Sequence, residues 1–254
     1  QLDPNLANAH SNLGLILRDL GNLKESFDSY LRVIEIDRTY PNIYSFITEL
    51  LYDSDPTQLN KSKLKNILNI LLEKNNISHN ELFKVFNFLY RKEILSNLEK
   101  FNSDFSKLEL LINEKVIINA LKKIMFCDCK LEKFLTKIRR NICRRIYTNI
   151  ENINYSELEF IIALGEQCFL NEYVYSITEE EKVNLNIIIK RCQDNELNET
   201  NISILSCYFP LYKILDQIPN LKSFNSSNQS FKELIRLQII EPIQEIELSQ
   251  KIKK

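Results

Sequence analysis

Few residues in this chain could do chemistry, and their spacing decides what that chemistry would be. Six cysteines stand at positions 127, 129, 143, 168, 192 and 207. Only Cys127 and Cys129 are close together. Two thiols with no second pair and no nearby histidine make a poor zinc site. Most of the six fall among apolar neighbours on predicted helices, so they read as buried, reduced thiols rather than a disulfide scaffold. The run KIRRNICRR (137–145) is the strongest charge feature. Guanidinium groups sit well on phosphates. On a chain of net charge −1, however, this reads as a solvated helix face or one paired with acids elsewhere, and nucleic acid is not an expected partner. Glu166, Glu172 and the trio Glu179–Glu181 could offer paired carboxylates for acid–base work. The trio follows Thr178, where the first turn of a helix favours negative charge, and capping accounts for it. With two histidines, no Walker loop and no Gly-x-Gly-x-x-Gly, no catalytic, cofactor-binding or metal-ligating residue is expected.

The elements that would position these residues are helices. Three glycines and six prolines in 254 residues are too few for the turns of an all-β fold or the loops of a nucleotide-binding α/β fold. The expected class is therefore all-α. Leu64, Ile67, Leu68, Leu71 and Leu72 follow the i, i+3, i+4, i+7, i+8 spacing of a buried helical face, and Leu82, Phe83, Phe86, Leu89 and Tyr90 do much the same. Capping boxes are read at Ser78-x-x-Glu81, Thr178-x-x-Glu181 and Ser230-x-x-Glu233. Further helices are expected over 104–123, 128–150, 155–173, 179–193, 200–216 and 229–252, with Pro210 and Pro242 starting or kinking them. The stretch DSDPTQLN (53–60) reads as a linker and 218–230 as a second loop. No apolar run nears the ~20 residues of a membrane span, and no basic-plus-apolar leader opens the chain. A cytoplasmic location with no membrane partner is the expectation.

An internal repeat organises the N-terminus. Shifted by 34 residues, Leu2-Asp3-Pro4-Asn5 falls on Ile36-Asp37-Arg38-Thr39. The unit between resembles a tetratricopeptide (TPR) repeat. Ala7 and Ala9 open its first helix, His10 takes the aromatic position, and Leu13-Gly14 is the Leu-Gly pair. Gly21 ends that helix, Ser26 and Tyr30 take the small and second aromatic places, and Asp37 the final acidic one. Helices over 7–20 and 23–37 should form an antiparallel hairpin with Gly14 at the closest approach, because a side chain there would push them apart. Gly21 should adopt the left-handed cap conformation. Residues 41–53 look like one further first helix, closing an array over 1–53 that precedes a helical domain over 60–254. Leu2-Asp3-Pro4 reads as the tail of a preceding repeat, so the chain is expected to be a fragment. Leu6, Leu13 or Leu17 should then be more exposed than Leu68 or Leu71. The resemblance implies an α-solenoid whose concave face binds a protein or peptide partner. Asn8, Asn12, Leu15 and Asp19 occupy that face, with Asn12 where related arrays hydrogen-bond extended peptide.

Three later phrases, ALGEQCFLNEYVY (163–175), LSCYFPLYKI (205–214) and ELIRLQIIEPIQEIELSQKI (233–252), resemble the helical region following the repeats in bacterial, notably marine cyanobacterial, TPR-linked methyltransferases. That resemblance implies a non-catalytic interaction and spacer portion leading into an S-adenosylmethionine-dependent domain. This chain would itself neither bind that cofactor nor transfer methyl groups. A stand-alone TPR adaptor and the repeat half of a TPR-linked glycosyltransferase are the alternatives.

Overall fold

The structure, a computed structural model, describes residues 4–100, 109–148, 153–194 and 196–252. It is 77% helical, and no strand occurs among the described residues. The all-α expectation holds. The chain divides into two compact units, Gln1–Lys92 and Glu93–Lys254. The division does not fall in the expected linker, and residues 60–92 belong to the same unit as the N-terminal helices.

In the first unit, α1 (Pro4–Asp19) and α2 (Leu23–Ile36) form the expected hairpin across a three-residue turn. Gly21 makes that turn at φ +77°, a conformation that favours glycine. A Cβ on Gly14 would lie 2.4 Å from Cε1 of the buried Tyr30, so only glycine permits this approach. Ser26 reinforces the seam, its hydroxyl donating to the Gly14 carbonyl at 2.7 Å. Helices α3 (Ile43–Asp53) and α4 (Lys61–Leu72) follow. The stretch between them is a fixed corner. Ser54, Pro56 and Leu59 are buried, Asp55 accepts from Thr57 N, and Asn60 caps α4 by accepting from Lys63 N. All five expected apolar residues of α4 are buried. Ser78 makes no side-chain cap, and a 3-10 turn (His79–Leu82) leads instead into α5 (Phe83–Lys100), whose first ten residues complete this unit.

In the second unit, the helix expected over 104–123 is interrupted. Its first residues lie outside the described residues, and α6 (Glu109–Asn113) stops at Glu114 before α7 (Lys115–Lys123) begins. Helix α8 (Cys129–Thr148) carries the basic run. Helix α9 (Tyr155–Leu170) is central, with α7, α11 and α12 packed on it. Phe160 to Cys168 are all buried, the mark of a helix surrounded by others. Its start is a capping box of Asn154 and Glu157, with asparagine in the place of the more usual Ser or Thr. Helix α10 (Glu179–Gln193) begins at the expected Thr178–Glu181 box. Helix α11 (Glu199–Ser206) ends early, since Pro210 cannot continue it, and a 3-10 turn over Leu211–Ile214 follows. Helix α12 (Gln229–Ile235) is capped by Asn228, not Ser230. A π-helical turn (Arg236–Ile240) joins it to α13 (Glu241–Ile252). Pro242 lacks the N–H that would bond the Gln238 carbonyl, and the ladder widens to Glu241 N–H on Arg236 O.

Candidate functional site

Helix α1 presents three faces. Ala7, Ser11 and Gly14 form the buried stripe turned to α2. The expected partner-binding residues, Asn8, Asn12, Leu15 and Asp19, share a second face, and all four are exposed. The structure therefore brings them together. Asn8 is already engaged, its Oδ1 accepting from the Tyr40 hydroxyl at 2.9 Å. Beside this face Arg18 reaches α3, with Nη1 2.7 Å from Glu49 and Nη2 2.8 Å from Asp53. Asn12 at the centre of the four offers an amide donor and acceptor together.

The third face is apolar and bare. Leu6, Leu13, Ile16 and Leu20 are 48, 45, 57 and 69% exposed, whereas Leu68 and Leu71 are fully buried. Sequence reasoning expected this contrast for Leu6 and Leu13. It did not expect a groove of about 560 Å³ where α2 faces α4, with His10 and Leu13 of α1 also lining it. Leu31 and Ile34 line one wall and Ile67 and Ile70 the other, with Arg32 and Lys63 at the rim. None of the four predicted residues lines it. No sequence signal marks this groove, because it depends on α4 folding back beside α2.

In the second unit the basic run meets acids. Arg144 pairs with Glu180 (2.8 Å), Arg145 with Glu157 (3.1 Å) and Arg140 with Glu181 (3.3 Å). Arg139 departs from the expected outer face and is fully buried. Its Nη2 donates to the Ser176 carbonyl at 2.8 Å and lies 3.5 Å from Glu181, while its guanidinium stacks 4.1 Å over the Tyr208 ring. Burial alone would push the Glu181 carboxyl up. Hydrogen bonds from Thr178 and Tyr208, with Arg139 nearby, hold it below its ordinary value instead. Glu166 is the opposite case. Burial raises its carboxyl to about 7, and Oε1 has no hydrogen-bond partner.

The three late phrases converge on one buried node. A Cβ on Gly165 would meet Ser206 Oγ at 2.0 Å, so α9 and α11 touch there. Gln238 bridges the seam, its amide nitrogen donating to the Gly165 carbonyl at 2.9 Å. The Tyr173 hydroxyl lies 3.1 Å from Gln238 Oε1 and 3.2 Å from the Ser206 carbonyl. This node is tightly packed, since Gly165 has no room for even a Cβ. Buried Cys143, Cys168, Cys192 and Cys207 match the expected inert thiols, but Cys127 and Cys129 are exposed, because they lie just before and at the start of α8 rather than within it. Among the described residues no three His, Cys, Asp or Glu side chains form a metal-binding group, and no helix is long and apolar enough to cross a membrane. No family model, curated protein or solved structure matches the chain.

Proposed function

We propose that this chain is a non-catalytic protein-interaction portion, in which a TPR-type hairpin takes a protein or peptide partner along Asn8, Asn12, Leu15 and Asp19. The supporting observation is the state of α1. Only one of its faces is buried, and the four residues stand exposed in a row along another. Such a row suits an extended backbone, whose alternating donors and acceptors an asparagine amide can meet. The second unit is a helical spacer in this reading. The resemblance of its last hundred residues extends the reading to a TPR-linked methyltransferase whose catalytic domain is a separate element.

The test uses the full chain and extended peptides selected from a random displayed library. Asn12→Ala should weaken the selected peptides at least about tenfold, equivalent to ~1.4 kcal/mol. Leu15→Asp should weaken them further, whereas Asn66→Ala in the α2–α4 groove should change nothing. Peptides sensitive to Asn66→Ala and indifferent to Asn12→Ala would transfer the function to the groove and refute the reading.

A further inference from the structure

The segment between α7 and α8 carries chemistry that the interaction reading leaves unused. Ile124 and Phe126 point inward and are buried, while Met125 is half-buried and Cys127 exposed. This is the alternation of an extended chain, in which residues i and i+2 share a face. Cys129, also exposed, opens α8 two positions later. The chain's single methionine therefore stands at the head of a Met-x-Cys-x-Cys series, three soft sulfurs in five residues. The Cys127 thiol leans back to within 3.6 Å of the Met125 carbonyl.

The backbone beneath this series is pinned at both ends. Ile124 N–H closes α7 on the Ala120 carbonyl at 2.8 Å. From below, fully buried Gln167 of α9 holds the segment. With its amide oriented to match donors with acceptors, its nitrogen meets the Ile124 and Leu121 carbonyls at 2.9 and 3.2 Å, and its oxygen meets Phe126 N–H at 3.3 Å. At the far end Asp128 caps α8, accepting from Lys130 N and Leu131 N at 2.9 and 3.0 Å. Asp128 is thereby committed to the helix, which leaves sulfur as the ligand type of the outer face.

We propose that Met125, Cys127 and Cys129 form a binding site for a soft monovalent cation, with Cu(I) as the natural probe. Thiolate and thioether sulfur select such ions, whereas zinc and harder cations ask for four tetrahedral ligands or for oxygen and nitrogen. Binding is a proton exchange without redox change. Two thiols lose two protons, two Cu–thiolate bonds and one bond to the neutral Met125 thioether form, and the resulting complex carries one negative charge. That charge lies at the first turn of α8, where the positive end of the helix dipole favours an anion. The other cysteines do not compete in the folded chain, since all four are buried, and burial pushes Cys143 up to about 12 and Cys192 up to about 11.

The experiment titrates the reduced full chain anaerobically against the Cu(I) complex of a chromophoric chelator. The chain should withdraw one equivalent, more tightly as pH rises. The Cys127→Ser/Cys129→Ser double variant, with an unchanged helical circular-dichroism spectrum, should withdraw none. Met125→Leu should keep the stoichiometry and bind about tenfold more weakly. Equal withdrawal by wild type and double variant would overturn the proposal, as would Zn(II) held as tightly as Cu(I). Unaltered affinity in Met125→Leu would remove the methionine from the site.

Discussion

Helices α1 and α9 are each sixteen residues long, and each has a glycine as its eleventh residue with another helix leaning on it. Around α9 other helices close on the remaining faces as well, and its polar groups, Glu166 Oε1 excepted, are largely drawn into hydrogen bonds. Around α1 the contact with α2 is tight, but most of the circumference stays bare. A glycine seat therefore says how near one neighbour comes and nothing about how many neighbours there are. The first unit spends its surface on exposed faces and exposed ion pairs, the second on buried polar connections.

The largest effect that would break this contrast lies in the second unit. Glu181→Ala leaves Arg139 charged and buried without its carboxylate, and should cost about 3–5 kcal/mol in denaturant unfolding. A loss below 1 kcal/mol would show that the buried connections carry little. The carboxyl of Glu166 gives a pH signature of the opposite sign to that of Glu181. Its value is raised in the folded chain, so its contribution is full below the ordinary carboxyl range and is lost as pH rises through about 7. Glu181 is held low, so its contribution is present at neutral pH and is lost on acidification. Glu166→Gln should therefore flatten the decline in stability between pH 5 and pH 8, by a few kcal/mol in order of magnitude. An identical pH profile for the variant would contradict the burial of that side chain.

Hydrogen exchange compares the two helices directly. Amides of α1 should exchange about a hundredfold faster than those of α9, because local opening of α1 exposes less packed surface. Equal protection would erase the distinction. The glycine seats should differ more modestly. Gly14→Leu forces a side chain into the Tyr30 ring and should cost about 1–3 kcal/mol. Gly165→Ala strikes a serine hydroxyl and Ser206 Cβ at 3.2 Å, and Ser206→Gly should restore most of its loss. The smallest effect is expected at Arg18. Its bonds to Glu49 and Asp53 lie at the surface, so Arg18→Ala should cost no more than about 1 kcal/mol, and less in high salt.

What could be read in advance followed from how locally each feature is encoded. The α1–α2 hairpin was legible because Gly14, Gly21, Ser26 and Tyr30 hold fixed offsets within one unit. The start of α10 was legible because a capping box needs only Thr178 and Glu181. The shared face of Asn8, Asn12, Leu15 and Asp19 needed only the helical period. Arg139 was not legible. The pattern RRNICRR gives four arginines of one type, and the one that turns inward is chosen by Ser176, Glu181 and Tyr208, residues 37 to 69 positions away. The groove between α2 and α4 was hidden for a similar reason. A tract rich in Ser, Asp and Pro at 53–60 has the composition of a linker, yet Asp55 and Asn60 use their side chains to fix it as a corner. Polar composition alone does not separate a tether from a capped bend.

The π turn at Arg236–Ile240 has a consequence for everything beyond it. A turn with one residue too many acts as a phase shifter, and every later side chain is set back by about a hundred degrees around the axis relative to an unbroken helix. Gln238 lies within this turn and meets the Gly165 seam, while α13 beyond it has no buried residue and exposes Ile246, Leu248 and Ile252. Shortening this stretch by one residue would put the helix back in step. Each side chain of α13 would turn by the same angle, so the phase of the last twelve helical residues is set by a single surplus residue upstream of Pro242.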